Sequence, residues 1–237
     1  MARIVPKDFR RHFWNEEKGL TSMFILLCFS NFVVTPFFSH QETIRFIVRI
    51  TWFVLLVTGI TTLAESKRQI KIFSVLPILL AIVTIIRLFN DNRFLGYIDF
   101  ITEISVFALL IGMVLVKVFE DGKITIHRVV GSIVAYILLG DLWAVMFQFF
   151  HIHVPGSLQV PDIYSQTGVP SSVFLYFSFT TLTTTGYGEI LPVHAITRTI
   201  VIIEQLIGVL YPVVLIGRLV SLVSGNKISS DQDQNSR

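Results

Sequence analysis

Apolar residues occur in long unbroken stretches along this chain, separated by short polar clusters rather than by regular alternation. Six stretches approach or reach the roughly 20 residues that a helix needs to cross a hydrocarbon layer. They are Met23–Phe38, Ile47–Leu63, Ile70–Phe89, Tyr97–Val118, Val129–Phe150 and Ala195–Val223. A further stretch, Ser171–Thr183, is too short to cross; at about 1.5 Å per residue it reaches only about halfway. Pro170 precedes it, and Ser171 or Ser172 is the expected cap. The pattern predicts an all-α membrane protein: six transmembrane helices, with one re-entrant helix and a loop between spans five and six. Irregular backbone at such depth is tolerated only where protein or a water-filled cavity surrounds it.

Four segments follow. Residues 1–22 are charged and amphipathic, with Phe9, Phe13 and Trp14 offering an apolar face to a membrane surface, and no cleavable signal peptide is evident. Residues 23–122 hold the first four spans, residues 123–225 the last two with the re-entrant loop, and residues 226–237 a short polar tail expected to be unstructured.

Composition agrees with a membrane solvent. The 237 residues are 53% hydrophobic and 15% charged, and mean hydropathy is +0.71, more apolar surface than a soluble domain of this length hides. The basic pI of 9.1 does not point to nucleic acid, because the bases flank spans instead of forming a stripe. Of the 19 lysines and arginines, all but Arg45, Arg49, Arg87, Arg93 and Arg198 fall in segments that share one side. The asymmetry puts both termini in the cytoplasm. The lone Cys28 allows no intramolecular disulfide. No phosphate-binding glycine loop, paired metal motif or nucleophile elbow is present, so neither an enzyme nor a cofactor is expected.

The chemistry concentrates in Thr180-Thr181-Leu182-Thr183-Thr184-Thr185-Gly186-Tyr187-Gly188-Glu189. Glycine adopts backbone angles that a side chain forbids, which lets successive carbonyls point one way. Four copies around an axis would stack rings of carbonyl oxygens over a ring of Thr184 hydroxyls, able to replace the hydration shell of a potassium ion. One such loop per chain requires four chains to close a pore.

From about Ile126 to Val223 the chain resembles the pore module of tetrameric potassium channels and is similar to the bacterial members. The resemblance rests on the Thr183–Gly188 run, on Pro192 and Arg198 beyond it, and on Gly208, 20 residues after Gly188. It implies a homotetramer conducting K+ passively, with the ion bound at Thr184, Thr185, Gly186 and Tyr187 and the filter completed by Gly188. Thr185 stands where valine or isoleucine is usual. Glu189, at the outer mouth, replaces the usual aspartate. Thr180, Thr181 and Thr183 are expected to support the pore helix, with Glu204 accepting bonds from Thr180 or Thr181. Gly208 falls at the family's hinge, and Pro212, one turn on, is expected to kink the same helix. The implied setting is a plasma membrane, prokaryotic inner membrane above all, with lipid, K+ and further copies of the chain as partners. The alternatives are a subunit of a potassium-uptake transporter and a non-conducting regulatory subunit.

The first four spans resemble, in number and place, the sensor domain of six-span voltage-gated channels. Their chemistry differs. A charge crossing the field gains only about 2.3 kcal/mol per 100 mV, so sensors need several arginines, and Tyr97–Val118 has none. Strong voltage dependence is not expected. Asp99 and Glu103 are expected to pair with Arg45, Arg49 or Arg87. Asp141, midway along the fifth span, is a candidate for a proton-sensitive bond to a neighbour. His151 and His153 are a weak candidate for a metal or pH site shared with another subunit.

Overall fold

The computed structural model describes residues 19–38, 53–54, 56–61, 66–89, 92–120, 125–164 and 168–235. Most of the amphipathic N-terminal segment, and the greater part of the expected second span Ile47–Leu63, lie outside the described residues. Among the described residues four helices are long and apolar enough to cross a membrane: Arg68–Arg87, Arg93–Phe119, Ile126–His153 and Ala195–Arg218. Four of the six expected spans are thus shown. The first expected span is a shorter apolar helix, α1, Gly19–Val34, continued by Thr35–Phe38.

The third stretch, the span Arg68–Arg87, is divided by a one-residue turn at Ser74 into α2 (Lys67–Phe73) and α3 (Val75–Phe89), and the Ser74 N–H still bonds Ile70 O across it. Ser66 begins α2 with a reciprocal cap, its side chain accepting from the Gln69 amide while the Gln69 side chain accepts from Ser66 N–H. The break at Ser74 lies just ahead of Pro77, which has no N–H to give and crowds the carbonyl four residues back. Helix α4, Arg93–Phe119, starts on an Asn92 cap. It buries Thr102, Val106, Leu110, Val114 and Val118, a stripe at helical spacing. That stripe meets Met23 and Leu27 of α1 and Val134 and Leu138 of α5, Ile126–His153.

Helix α5 is shared by two cores. On its other side Trp143 and Phe147 pack with Phe174 and Phe177 of α6, Ser171–Leu182, and Val201 of α7, Ala195–Asn235. Two expectations are corrected here. Helix α6 is capped by position Pro170, without a side-chain bond, rather than by Ser171 or Ser172, and it ends at Leu182. Helix α7 is 41 residues long and carries the helix through Asn235, where an unstructured tail was expected.

Between α5 and α6 the chain makes a two-residue strand, β1 (Leu158–Gln159), antiparallel to β2 (Leu191–Pro192) after the glycine loop. The Ser157 carbonyl takes the Val193 N–H at 3.0 Å and the Thr197 hydroxyl at 2.7 Å. These bonds tie the loop before α6 to the start of α7 and fix both ends of the glycine segment.

Candidate functional site

The segment after α6 has an ordered backbone alternation. The angle φ is positive at Thr184 (57°), Gly186 (52°) and Gly188 (90°), and negative at Thr185 and Tyr187. Such alternating handedness is the backbone pattern that allows successive peptides to turn the same way. Glycine accepts this conformation readily, whereas β-branched Thr184 is strained there. The amides do turn back: Thr184 N–H donates to the Thr181 carbonyl at 2.9 Å, and those of Thr185 and Gly186 donate to Thr180 at 2.8 and 3.0 Å. The run Thr183–Glu189 is exposed in the single chain, and no carbonyl from Thr184 to Gly188 accepts a hydrogen bond among the described residues.

Side chains brace the same segment. The Thr183 hydroxyl donates to Phe179 O at 2.6 Å and lies 2.9 Å from the Thr185 hydroxyl. The Tyr176 hydroxyl donates to the Glu189 carboxylate, and its ring lies parallel to that of Tyr187 with centroids 6.4 Å apart. Arg198 Nε donates to the Pro192 carbonyl at 3.1 Å, joining two positions that the sequence singled out separately.

Glu204 is fully buried behind α6, but its partner differs from expectation. Ser178 Oγ donates to Glu204 Oε1 at 2.6 Å and lies 2.7 Å from Gly140 O. Thr180 instead bonds Phe177 O of its own helix at 3.0 Å. The reason is helix phase: Ser178, Thr181 and Leu182 share the buried face of α6, and Thr180 turns away from it. One serine hydroxyl therefore joins α5, α6 and α7.

Gly208 also takes a new role. A methyl group placed on it would lie 1.9 Å from the Leu182 carbonyl oxygen and 2.8 Å from the carbonyl carbon. Glycine is needed there because α7 crosses the end of α6 backbone to backbone. Gly140 is similar, with the Phe179 ring 2.7 Å from where a Cβ would be. Tyr136 donates to the same Leu182 carbonyl at 3.3 Å, and Tyr211 donates to Ser132 O at 2.8 Å, fixing α7 to α5. Ser178, Gly140, Tyr136, Tyr176 and Tyr211 were not singled out from sequence. They belong to no motif, and only helix rotation brings them here. Pro212 lies inside α7 as expected.

The remaining candidates separate. His151 meets the Phe174 ring, whereas His153 packs between Tyr97 and Phe149 with Nδ1 3.0 Å from Phe149 O. Two residues apart on a helix, they face different neighbours. No group of three or more His, Cys, Asp or Glu residues able to hold a metal occurs among the described residues. Asp99 pairs with Arg87 at 2.5 Å, one of the expected partners.

Residues 133–225 match the family model described as "Ion channel". The match runs from within α5 through the alternating segment and along α7. It supports a passive ion channel within a multi-pass, mostly helical membrane protein, and this is a channel family, not an enzyme family. Comparison with curated proteins gives no match.

Proposed function

We propose that this chain is the subunit of a homotetrameric, potassium-selective channel. K+ passes through rings of carbonyls from Thr184, Thr185, Gly186 and Tyr187, with the Thr184 hydroxyls below and Glu189 at the outer mouth. The supporting observation is the five-residue alternation of φ, with the Thr184, Thr185 and Gly186 amides bonded back to α6 and no carbonyl of the run accepting a bond among the described residues. In one chain those oxygens face nothing, and four chains around an axis would give them an ion to coordinate. The reading includes both termini in the cytoplasm of a plasma membrane, an orientation that the lysine and arginine asymmetry supports. Arginine is absent from 97–118, which gives the first spans little to move in the field.

Purified protein in planar bilayers under opposed potassium and sodium gradients tests this reading. The reversal potential should lie close to that of potassium, and a permeability ratio near one removes the selectivity claim. Absence of any flux from a well-assembled oligomer favours a regulatory subunit instead. Oligomeric mass in lipid discs checks the tetramer independently.

Pro212 supplies a second test, confined to gating. It removes one backbone bond from α7 a turn beyond Gly208. Pro212→Ala should shift single-channel open probability and leave the reversal potential unchanged, since the filter is a separate element. Unchanged open probability would place gating in the filter rather than in this helix.

A further inference from the structure

Helix α1 meets α5 through a buried amide and a buried acid. Residues Ser30–Val34 form a π-turn in which the Thr35 N–H reaches back five residues to the Ser30 carbonyl. The extra residue brings Ser30, Asn31 and Val34 to the buried side, and turns of this kind gather at functional sites. Asn31 is 2% exposed and Asp141, midway along α5, 3%. Asn31 Nδ2 donates to Asp141 Oδ1 at 2.8 Å. The other two polar atoms of the pair, Asn31 Oδ1 and Asp141 Oδ2, are buried without any hydrogen-bond partner, as is Ser30 Oγ.

That bonding is half of a reciprocal pair. An ionised aspartate only accepts, so it can use only the amide N–H and leaves two acceptor oxygens over. One proton on Asp141 Oδ2 would let it donate to Asn31 Oδ1 and satisfy both atoms at once, as a carboxylic acid pairs with a carboxamide. We propose that Asp141 is a proton-binding site whose proton is shared with Asn31, and that this proton docks α1 onto α5.

Among the described residues no lysine, arginine or histidine forms an ion pair with Asp141. Of the packed elements, α1 brings only Cys28 as an ionisable type over 19–38. Helix α4 brings Asp99, held by Arg87, Glu103, and Lys117, which is 3.8 Å from Glu120. Helix α6 brings Tyr176, bonded to Glu189. Helix α7 brings Glu204, bonded by the Ser178 hydroxyl that also reaches the Gly140 carbonyl next to Asp141, and Tyr211, bonded to Ser132 O. On α5 itself stand Tyr136, with His127 and Arg128 at the N-terminal end, and His151 and His153 at the C-terminal end. An intramembrane carboxylate without a counter-ion is costly, and a bound proton removes that cost. Because Thr35–Phe38 also touches α6, docking of α1 bears on the helix that carries the candidate filter. That consequence for conduction rests on the channel reading; the proton site does not.

The test uses the full chain in lipid discs. Asp141→Asn keeps both legs of the reciprocal pair and has nothing to titrate. The proton stabilises the docked form, so stability is present at low pH and lost as pH rises. The wild-type thermal midpoint should therefore fall on going from mildly acidic to alkaline buffer by at least about 2 °C more than that of Asp141→Asn. A second readout covers a variant that folds poorly: the infrared band of a protonated carboxyl should persist in Glu204→Gln, lose the Asp141 component in Asp141→Asn, and move to higher frequency in Asn31→Leu, where the acid loses its amide partner. Equal pH slopes in wild type and Asp141→Asn overturn the proposal. So does a midpoint that follows sodium concentration rather than pH, which would assign a metal cation instead. Loss of the channel reading would show as wild-type liposomes without potassium flux, a result that leaves the pH slopes untouched.

Discussion

Gly208→Ala should prevent stable assembly of the pore module, not merely retune its gating. The added methyl would lie 1.9 Å from the Leu182 carbonyl oxygen, which is backbone and cannot swing aside as a side chain does. If α7 moves away from α6 the Ser178 bond to Glu204 is disturbed, and if α6 shifts its last turn the Tyr136 bond to Leu182 is disturbed. Overpacking of this kind costs about 1–3 kcal/mol when side chains can adjust, and a backbone clash belongs at the upper end. At about 2–4 °C per kcal/mol for a chain of this size, the thermal midpoint should fall by roughly 6–12 °C, with the yield of the proposed tetramer falling alongside. A hinge glycine predicts something else: an unchanged midpoint and an altered open probability. Thermal unfolding with size-exclusion chromatography separates the two, and an unchanged midpoint refutes the contact role.

The second large effect is expected at Gly186, where alanine should damage selectivity far more than stability. A Cβ there meets nothing within 4 Å, so the cost comes from the backbone angle of 52°. For an ordinary residue that conformation costs about 1–2 kcal/mol, and the chain relieves it by returning φ to negative values. Doing so breaks the alternation and, in the proposed tetramer, would turn one carbonyl ring away from the axis in all four subunits at once. The potassium-to-sodium permeability ratio should fall by about tenfold or more, which corresponds to only about 1.4 kcal/mol of lost discrimination. Gly156→Ala is the control: φ is 71° there with nothing within 4 Å, so the backbone cost is alike and the filter untouched. Equal loss of selectivity in both variants would mean that strain anywhere in the module degrades it and that the carbonyl geometry is not the cause.

The sequence read most clearly where composition alone dictates structure. A membrane span is set by length and hydropathy, so the bounds of α4, α5 and the start of α7 were legible to within a few residues. The glycine segment was legible because only a few residue types tolerate its backbone, and the spacing of Gly186 and Gly188 matches the observed alternation. Contacts across helices were not legible, since they depend on rotation about each axis. Glu204 could be placed near α6, yet whether it met Thr180, Thr181 or Ser178 turned on a phase that apolar composition does not specify. Gly208 shows the same limit: a glycine that permits bending and one that permits close approach look identical in sequence. The π-turn at Ser30–Val34 left no compositional trace, so the meeting of Asn31 with Asp141, 110 positions away, was out of reach.

The Thr180 carbonyl takes amide hydrogens from both Thr185 and Gly186, and so the glycine segment is the C-terminal cap of α6. Helix ends ordinarily fray because their last carbonyls lack partners. Here the fraying end has been bonded to the glycine segment, and the two cannot melt separately. Strand and helix thus form one cooperative unit, whose amides should exchange with solvent together and whose order is lost in a single step.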